Sequence, residues 1–289
     1  MDLVTIGDVM VDVRVETGAL ARGGDVHGRV LVQPGGSAAN AAVWGAWSGA
    51  RTALYGRVGD DLGGRILREA LLERGVEPHL RVDAEAATGT MLVVHEAGER
   101  SMVADRGANA RVSSADLPDA IRAAAVLVSG YLLLDRECRP GGLAALERAE
   151  ARYVGVDPAS WPLVEGFGVE RFLSETAPAN VVLANELEAR TLTGEEGRAA
   201  ARALSEHYAI AVVKLGDEGA VVCVGDEVLD APAERVSEVD PTGAGDAFDG
   251  VFLASLARGA PPAEALRRAC RAGALQVSSV RSWPDGAAS

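Results

Sequence analysis

Asp240-Pro-Thr-Gly-Ala-Gly-Asp-Ala-Phe-Asp-Gly-Val-Phe-Leu253 sets three small residues, Gly243, Ala244 and Gly245, directly before an acid and an apolar run. Phe248, Val251, Phe252 and Leu256 recur at helical spacing, which predicts a buried helix starting near Ala244. The first N–H groups of a helix have no intrahelical partner, and the helix dipole makes that end positive. Small residues let the main chain approach an anion closely, so a phosphate fits there. Asp246 follows at once, in reach of a hydroxyl lying beside such a phosphate. An anion cradle with an adjacent base is the minimum apparatus for moving a phosphoryl group onto an alcohol. The plainer reading is a glycine-rich turn leading into a core helix.

Outward from this segment, apolar runs alternate with helical patterns along most of the chain. Leu3–Ile6, Thr52–Tyr55, Ala125–Val128, Tyr153–Val156, Asn180–Leu183, Ile210–Leu215 and Val221–Val224 read as strands. Helical patterns fall at Ala38–Trp47, Leu62–Arg74, Ser114–Ala124, Gly142–Ala151, Val169–Thr176, Glu186–Leu192 and Arg198–His207. The alternation predicts an α/β protein: a doubly wound, mostly parallel sheet with helices on both faces. Two regions break the rhythm. Asp12–Val32 alternates without a helix, and Thr88–Val103 reads as a hairpin turning at Ala97-Gly98-Glu99. Both are expected to pair into a small β-sheet outside the main sheet, a lid built from segments near 12–32 and 88–106 of a single domain spanning 1–289. Gly56–Gly63 reads as a strand-to-helix loop capped by Asp61, and the tail from Pro284 as frayed.

The chain has 289 residues, 48% of them hydrophobic, and a formal net charge of −14. That charge disfavours nucleic acid and anionic membranes as partners. It also repels nucleotide phosphates, so a phosphate site must rely on local backbone donors and a divalent cation. Cys138, Cys223 and Cys270 form neither metal-ligand spacing nor a disulfide framework, which points to a reducing compartment. Met1–Ile6 reads as a strand without the basic flank of a signal peptide, and no apolar run reaches membrane-spanning length. A cytoplasmic enzyme is the expectation.

Candidate chemistry lies at a few places. There is no Gly-x-x-x-x-Gly-Lys-Ser/Thr, and the first strand runs into Gly7-Asp8-Val9-Met10, not into a dinucleotide fingerprint. Asp8 and Asp12 follow that strand, where carboxylates suit the hydroxyls of a polyol, or merely solvate a loop. Gly35-Gly36-Ser-Ala-Ala-Asn40 is a second glycine-rich helix start, a hydroxyl-binding turn or a tight helix entry. Asn185 and Glu188 lie three apart after a strand, either orienting waters around Mg²⁺ or capping a helix. Lys214, the only lysine, lies in a strand and is either structural or close to a phosphate. Trp44 and Trp47 at helical spacing read as core, and the four histidines show no ligand spacing.

Gly35–Asn40, Asn185-x-x-Glu188 and Asp240–Asp246 together resemble the ribokinase-like (PfkB) carbohydrate kinases, with supporting likeness at Thr88-Gly-Thr90 and Val213-Lys-Leu-Gly216. The matches run in order along nearly the whole chain. The resemblance implies an ATP- and Mg²⁺-dependent kinase that transfers the γ-phosphoryl group to a hydroxyl of a small sugar. It implies Asp246 as the base and Gly243, Ala244 and Gly245 as the anion hole. It places Asp12, Gly35, Gly36, Asn40 and Arg106 at the acceptor, and Asn185 and Glu188 around Mg²⁺ through water. Lys214, Gly216 and Gly273 fall near the nucleotide, and Asp240 and Thr242 at a monovalent cation such as K⁺. Met10 stands where ribokinases proper carry asparagine, and a thioether cannot replace an amide's hydrogen bonds. A nucleoside kinase, similar to pseudouridine kinases, is therefore the alternative to a free-sugar kinase. A catalytically silent sugar-binding regulator is a third reading. Exposed edges of the lid sheet make a homodimer through the lid an expectation.

Overall fold

Short unbroken apolar runs become strands buried on both faces, and the segments between them become helices. The computed structural model describes residues 1–96 and 99–286. Strand β1 (Leu3–Ile6) leads into β2 (Met10–Thr17), β3 (Arg29–Gly35) and helix α1 (Ser37–Trp47). Then come β4 (Thr52–Gly59), α2 (Leu62–Glu73), β5 (Val76–Asp83), β6 (Gly89–Glu96) and β7 (Glu99–Asp105). The middle of the chain supplies β8 (Ile121–Arg122), β9 (Ala125–Ser129), α3 (Gly130–Leu134), α4 (Arg139–Glu147), β10 (Ala149–Glu150) and β11 (Tyr153–Asp157). It continues through α5 (Trp161–Phe167), α6 (Val169–Glu175), β12 (Val181–Asn185), α7 (Glu186–Thr193) and α8 (Gly197–Leu204). The last elements are β13 (Ile210–Lys214), β14 (Ala220–Val224), β15 (Glu227–Ala231), α9 (Ala244–Ala257) and α10 (Pro262–Val277).

Nine strands form one sheet in the order β15-β14-β13-β12-β11-β9-β1-β4-β5. From β13 to β5 every pair is parallel, and the β14 and β15 pairings are antiparallel. Ala125 and Leu127 of β9, Val181 and Leu183 of β12, and Ile210 and Val212 of β13 pack on the side of α9 and α10. Val126, Val128, Val182, Ala184, Ala211 and Val213 pack on the other side, with Phe172 and Leu204. That two-residue period places helices on both faces. Strand order reverses beside β1, with β4 to one side and β9 to the other, so a crevice opens at the carboxyl ends there.

Helix α9 starts at Ala244, as its apolar spacing predicts, and every residue from Ala247 to Leu256 is buried. A helix apolar all round must be enclosed, and the sheet, α1 and α10 enclose it. α1 comes closest at Gly250, where a Cβ would lie 2.1 Å from the Ala41 carbonyl oxygen. This close approach brings Asn40 of α1 beside Asp246 of α9.

A separate four-stranded sheet has the order β3-β2-β6-β7. β2 and β6 pair in parallel, and the outer pairs are antiparallel. It draws on both of the segments that interrupt the α/β rhythm. Ala97 and Gly98 of the expected hairpin turn lie outside the described residues, as does the end of the tail beyond residue 286.

Two local expectations are corrected. Ser114–Ala124 is not a helix: a Ser113–Asp116 capping box closes a short 3₁₀ turn, and Leu117 is extended before Pro118. A residue preceding proline avoids the helical region, which stops the helix there. β4 runs on to Gly59 because β5 pairs along its whole length. β5 is an edge strand with a polar sequence that tolerates Pro78, so it lacks the apolar signature of its neighbours. Asp61 does cap α2, accepting a hydrogen bond from the Gly64 N–H at 2.9 Å. Trp44 is buried as a core residue and meets the half-buried Trp47 edge-on at 5.0 Å.

Gly250→Ala should force α1 and α9 apart. The expected cost is about 1–3 kcal/mol, the usual range for overpacking. It is read as a lower urea midpoint at unchanged m-value.

Candidate active site

Successive parallel strands deliver polar residues to one end of the sheet. Asp8 follows β1, Ser129 ends β9, Asp157 ends β11, Asn185 ends β12 and Lys214 ends β13. All five line one cleft of about 1030 Å³. The start of α9 and the inner face of the second sheet close it from opposite sides, through Thr242–Asp246 and through Met10, Asp12, Met91, Met102 and Ala104. Of the residues expected at the site, Gly36, Asn40, Asp12, Arg106, Asn185, Glu188, Lys214, Gly216, Thr242, Gly243, Ala244, Gly245, Asp246 and Gly273 line this cleft. Gly35 and Asp240 do not line it.

The chain enters α9 through Gly243, which is left-handed at φ 79° and carries no capping side chain. The turn is set by Asp240, whose Oδ1 accepts from the Thr242 N–H at 2.9 Å and from the Thr242 hydroxyl at 2.7 Å. Arg14 of β2 donates to the other carboxylate oxygen of Asp240. The Ala244 N–H donates to the Pro241 carbonyl at 3.2 Å, so it is already engaged within the turn. The N–H groups of Gly245 and Asp246 lie in the first turn, where no preceding carbonyl of the helix reaches them. Oδ2 of Asp246 accepts from Nδ2 of Asn40 at 2.8 Å. Burial pushes the Asp246 carboxyl up to about 7, against the opposing pull of the Asn40 hydrogen bond and with help from the Asp157 charge. A carboxylate poised near neutrality is suited to accepting a proton.

The side formed by the second sheet carries the first-strand acids. A Cβ on Gly35 would fall 2.1 Å from Asp12 Oδ2, so this glycine makes room for the Asp12 carboxylate. Burial raises the Asp12 carboxyl to about 6, opposed by a hydrogen bond from the Ser282 hydroxyl. Arg106 reaches the cleft with its guanidinium already held: Nη2 donates to Asp8 Oδ1 at 2.7 Å and Nη1 to Asp135 Oδ2 at 2.7 Å. Asp12, Met91 and Ala104 stand in register across β2, β6 and β7, so an acid and a thioether share one face.

Beneath the start of α9, Lys214 Nζ lies 3.0 Å from Asp157 Oδ2 and 3.0 Å from Asp249 Oδ1. Burial opposes its charge, but Asp157, Asp249 and Glu188 outweigh that and hold the ammonium protonated above its usual range. The same atom lies 3.5 Å from where a Cβ on Gly245 would stand, next to the helix start. Asn185 and Glu188 form a capping box: the Asn185 N–H donates to Glu188 at 2.9 Å, and Asn185 Oδ1 accepts from the Glu188 N–H at 2.9 Å. Burial, then the Asp157 charge, pushes the Glu188 carboxyl up to about 7. Asp157, Asp249 and Tyr131 are cleft residues that the sequence reading left out. Asp157 follows a strand as Asp8 does, so the strand-end rule was sufficient to find it. Asp249 and Tyr131 lie inside helices and carry no such signal.

Among the described residues no helix is long and apolar enough to cross a membrane. The comparisons with known proteins agree with one another. The chain is 32% identical over 263 residues to a fructokinase of Escherichia coli, covering 87% of this chain and 83% of that protein. The structure of adenosine kinase from Sinorhizobium meliloti superposes with a TM-score of 0.88 at 25% identity, over 98% of this chain and 96% of that one. Aminoimidazole riboside kinase from Salmonella enterica, complexed with aminoimidazole riboside and an ATP analog, superposes with a TM-score of 0.80 at 27% identity, over 97% and 95%. A sequence pattern described as pfkB family carbohydrate kinase spans residues 1–282. With a kinase-like cleft at the strand ends and likeness along its whole length, the chain belongs to the pfkB family of carbohydrate kinases, ATP-dependent phosphotransferases acting on an alcohol.

Proposed function

We propose that Asp246 takes the proton from an acceptor hydroxyl while the γ-phosphoryl group of ATP rests on the N–H groups at the start of α9. The observation that carries this is the carboxylate itself, held by Asn40 at the positive end of a buried helix with its pKa raised to about 7. Gly243 and Gly245 keep the cradle free of side chains, and Ala244 contributes by holding the turn. Lys214 adds a fixed positive charge beside Gly245. Asp12, Gly36 and Asn40 border the acceptor, Gly35 backs Asp12, and Arg106 orders that side through Asp8. Gly216 and Gly273 border the nucleotide end with Cys270, Ala274 and Val277.

Mg²⁺ bound through water near Asn185 and Glu188 would offset phosphate charge. Burial, and then the neighbouring Asp157 charge, raise the Glu188 carboxyl to about 7, and two carboxyls crowded together fit a cation there. The Asp240 carboxylate fits a monovalent cation less well, because the Arg14 guanidinium already stands against it. No step is assigned to such an ion. The second sheet, acting as a lid, excludes water that would otherwise compete as acceptor. Its exposed edge residues Val30 and Val32 support a lid-to-lid dimer.

A specific observation favours the nucleoside reading of the acceptor. Met10, Met91 and Met102 line the cleft on the same sheet as Asp12. A carboxylate binds sugar hydroxyls, and thioethers pack against an aromatic group. A ribose carrying a base meets both.

Several experiments test these assignments. Asp246→Asn should lower kcat by about 10²–10⁴ with little change in KM. The native enzyme should lose activity as pH falls through about 7, where Asp246 protonates. The same substitution should stabilise the fold: ionising Asp246 costs more folded than unfolded, so the gain in Tm grows as pH rises from 3.8 to about 7 and is absent below. An unchanged kcat in a folded Asn variant overturns the base assignment. Replacing K⁺ by Na⁺ should leave turnover within about twofold, since one desolvated fixed charge replaces a bound ion. In an ATP-consumption screen, nucleosides should exceed free pentoses and hexoses in kcat/KM. Met102→Ser should cut the nucleoside value about tenfold and leave the pentose value unchanged.

A further inference from the structure

Asn40 uses both ends of its amide inside the protein. Nδ2 donates to Asp246 Oδ2 at 2.8 Å, and Oδ1 accepts from the indole Nε1 of Trp283 at 2.8 Å. Asn40 is 5% exposed and Trp283 is 4% exposed. An asparagine amide occupies nearly the same volume either way round, so its orientation is set by its partners. An indole N–H is a donor only, and it accepts no amide nitrogen against it. With oxygen required on the Trp283 side, the nitrogen must face the carboxylate. In the reversed orientation, two oxygens would oppose each other at Asp246.

Trp283 is itself fixed. Its ring packs in the cluster of Val9, Ala39, Val43 and Leu54. The segment that carries it is tied to the start of α9 by Gln276, whose Nε2 donates to the Thr242 carbonyl at 3.0 Å and the Arg281 carbonyl at 2.9 Å. The preceding residue reaches another cleft acid: the Ser282 hydroxyl donates to Asp12 Oδ2 at 3.3 Å.

We infer that Trp283 is a positioning residue for phosphoryl transfer, acting through Asn40 to hold Oδ2 of Asp246 and leave Oδ1 for the acceptor hydroxyl. The inference rests on the assignment of Asp246 as the base. The ionisable groups facing Asp246 are Asp157 and Lys214 from the strand ends, Asp12 from β2, Tyr131 from α3, and Glu188 and Asp249 nearby. None of them hydrogen-bonds the indole, so substitution of Trp283 leaves that set in place. A change in Asp246 titration then reports the Asn40 contact.

Trp283→Phe keeps an aromatic ring and removes the N–H. Loss of an oriented donor to a carboxylate favours the protonated form. The acid limb of kcat should therefore move up by about one pH unit. At pH 6 kcat should fall about tenfold, at pH 9 it should be nearly native, and KM for both substrates should stay within about twofold. An unmoved acid limb, or a kcat loss uniform across pH, overturns the inference. A second measurement uses the native protein and needs no turnover. With ¹⁵N-tryptophan, the four indole signals of the four Trp residues are resolved and assigned by Phe substitution at Trp44, Trp47 and Trp161. The Trp283 signal should shift with pH across the Asp246 titration and lose that dependence in Asp246→Asn. A Trp283 signal that does not titrate sinks the inference. Absence of kinase activity on every acceptor, with a titrating indole, would count against the functional reading alone.

Discussion

The hydrogen bond between Asn40 and Asp246 joins the starts of two buried helices, and the rest of the site is arranged around it. It exists because α1 and α9 approach within van der Waals contact at Gly250, where any side chain would collide with the Ala41 carbonyl. Both helices begin at a glycine and aim their first turns into the same cleft. Two positive helix ends converging on one point give a local field favourable to an anion. That field is needed in a chain carrying a net charge of −14. Long-range attraction is of the wrong sign for a nucleotide, so the attraction must come from short-range donors.

The same short-range logic governs the acids. Four carboxylates of the cleft, at positions 157, 188, 246 and 249, interact with the protein's single lysine. They cannot all ionise cheaply at close quarters in a partly desolvated space. Lys214 settles the nearest of them: it holds Asp157 low, while burial drives Asp249 well above its ordinary range. Asp246 and Glu188 are left near neutrality by burial. Lys214 thus favours the charged form of Asp157, while burial raises the other three. The separation depends on depth in the cleft as much as on sequence.

Much of this was legible before any coordinates. The strands of the parallel core announce themselves by unbroken apolar runs, and the α9 start by small residues before an amphipathic stretch. Asp246 and Asn40 were legible because they sit beside glycines at helix starts. β5 was not, because an edge strand needs to bury only one residue in several and Val76-Glu-Pro-His looks like a loop. The Ser114–Ala124 helix failed for the opposite reason: its residues suit a helix, and a proline four positions on ends it. Arg14 was invisible as a partner of Asp240, since the two lie far apart in sequence and meet only when the second sheet folds over α9. Lys214 was found, but its neighbours were not, because a salt-bridged pair leaves no trace in spacing.

The two sheets divide the work by chemistry. The residues proposed to handle the phosphoryl group sit on the nine-stranded sheet and α9, where burial fixes each backbone position. The residues proposed to meet the acceptor's far end sit on the four-stranded sheet, where β2, β6 and β7 each present side chains to the cleft. A strand face can change Met for a polar residue without moving its neighbours, because the ladder is made by main chain. On the proposed assignment, substrate choice is written in the side chains of β2, β6 and β7. Arg14 connects the two halves, since it leaves the second sheet to brace the Asp240–Thr242 turn that leads into α9.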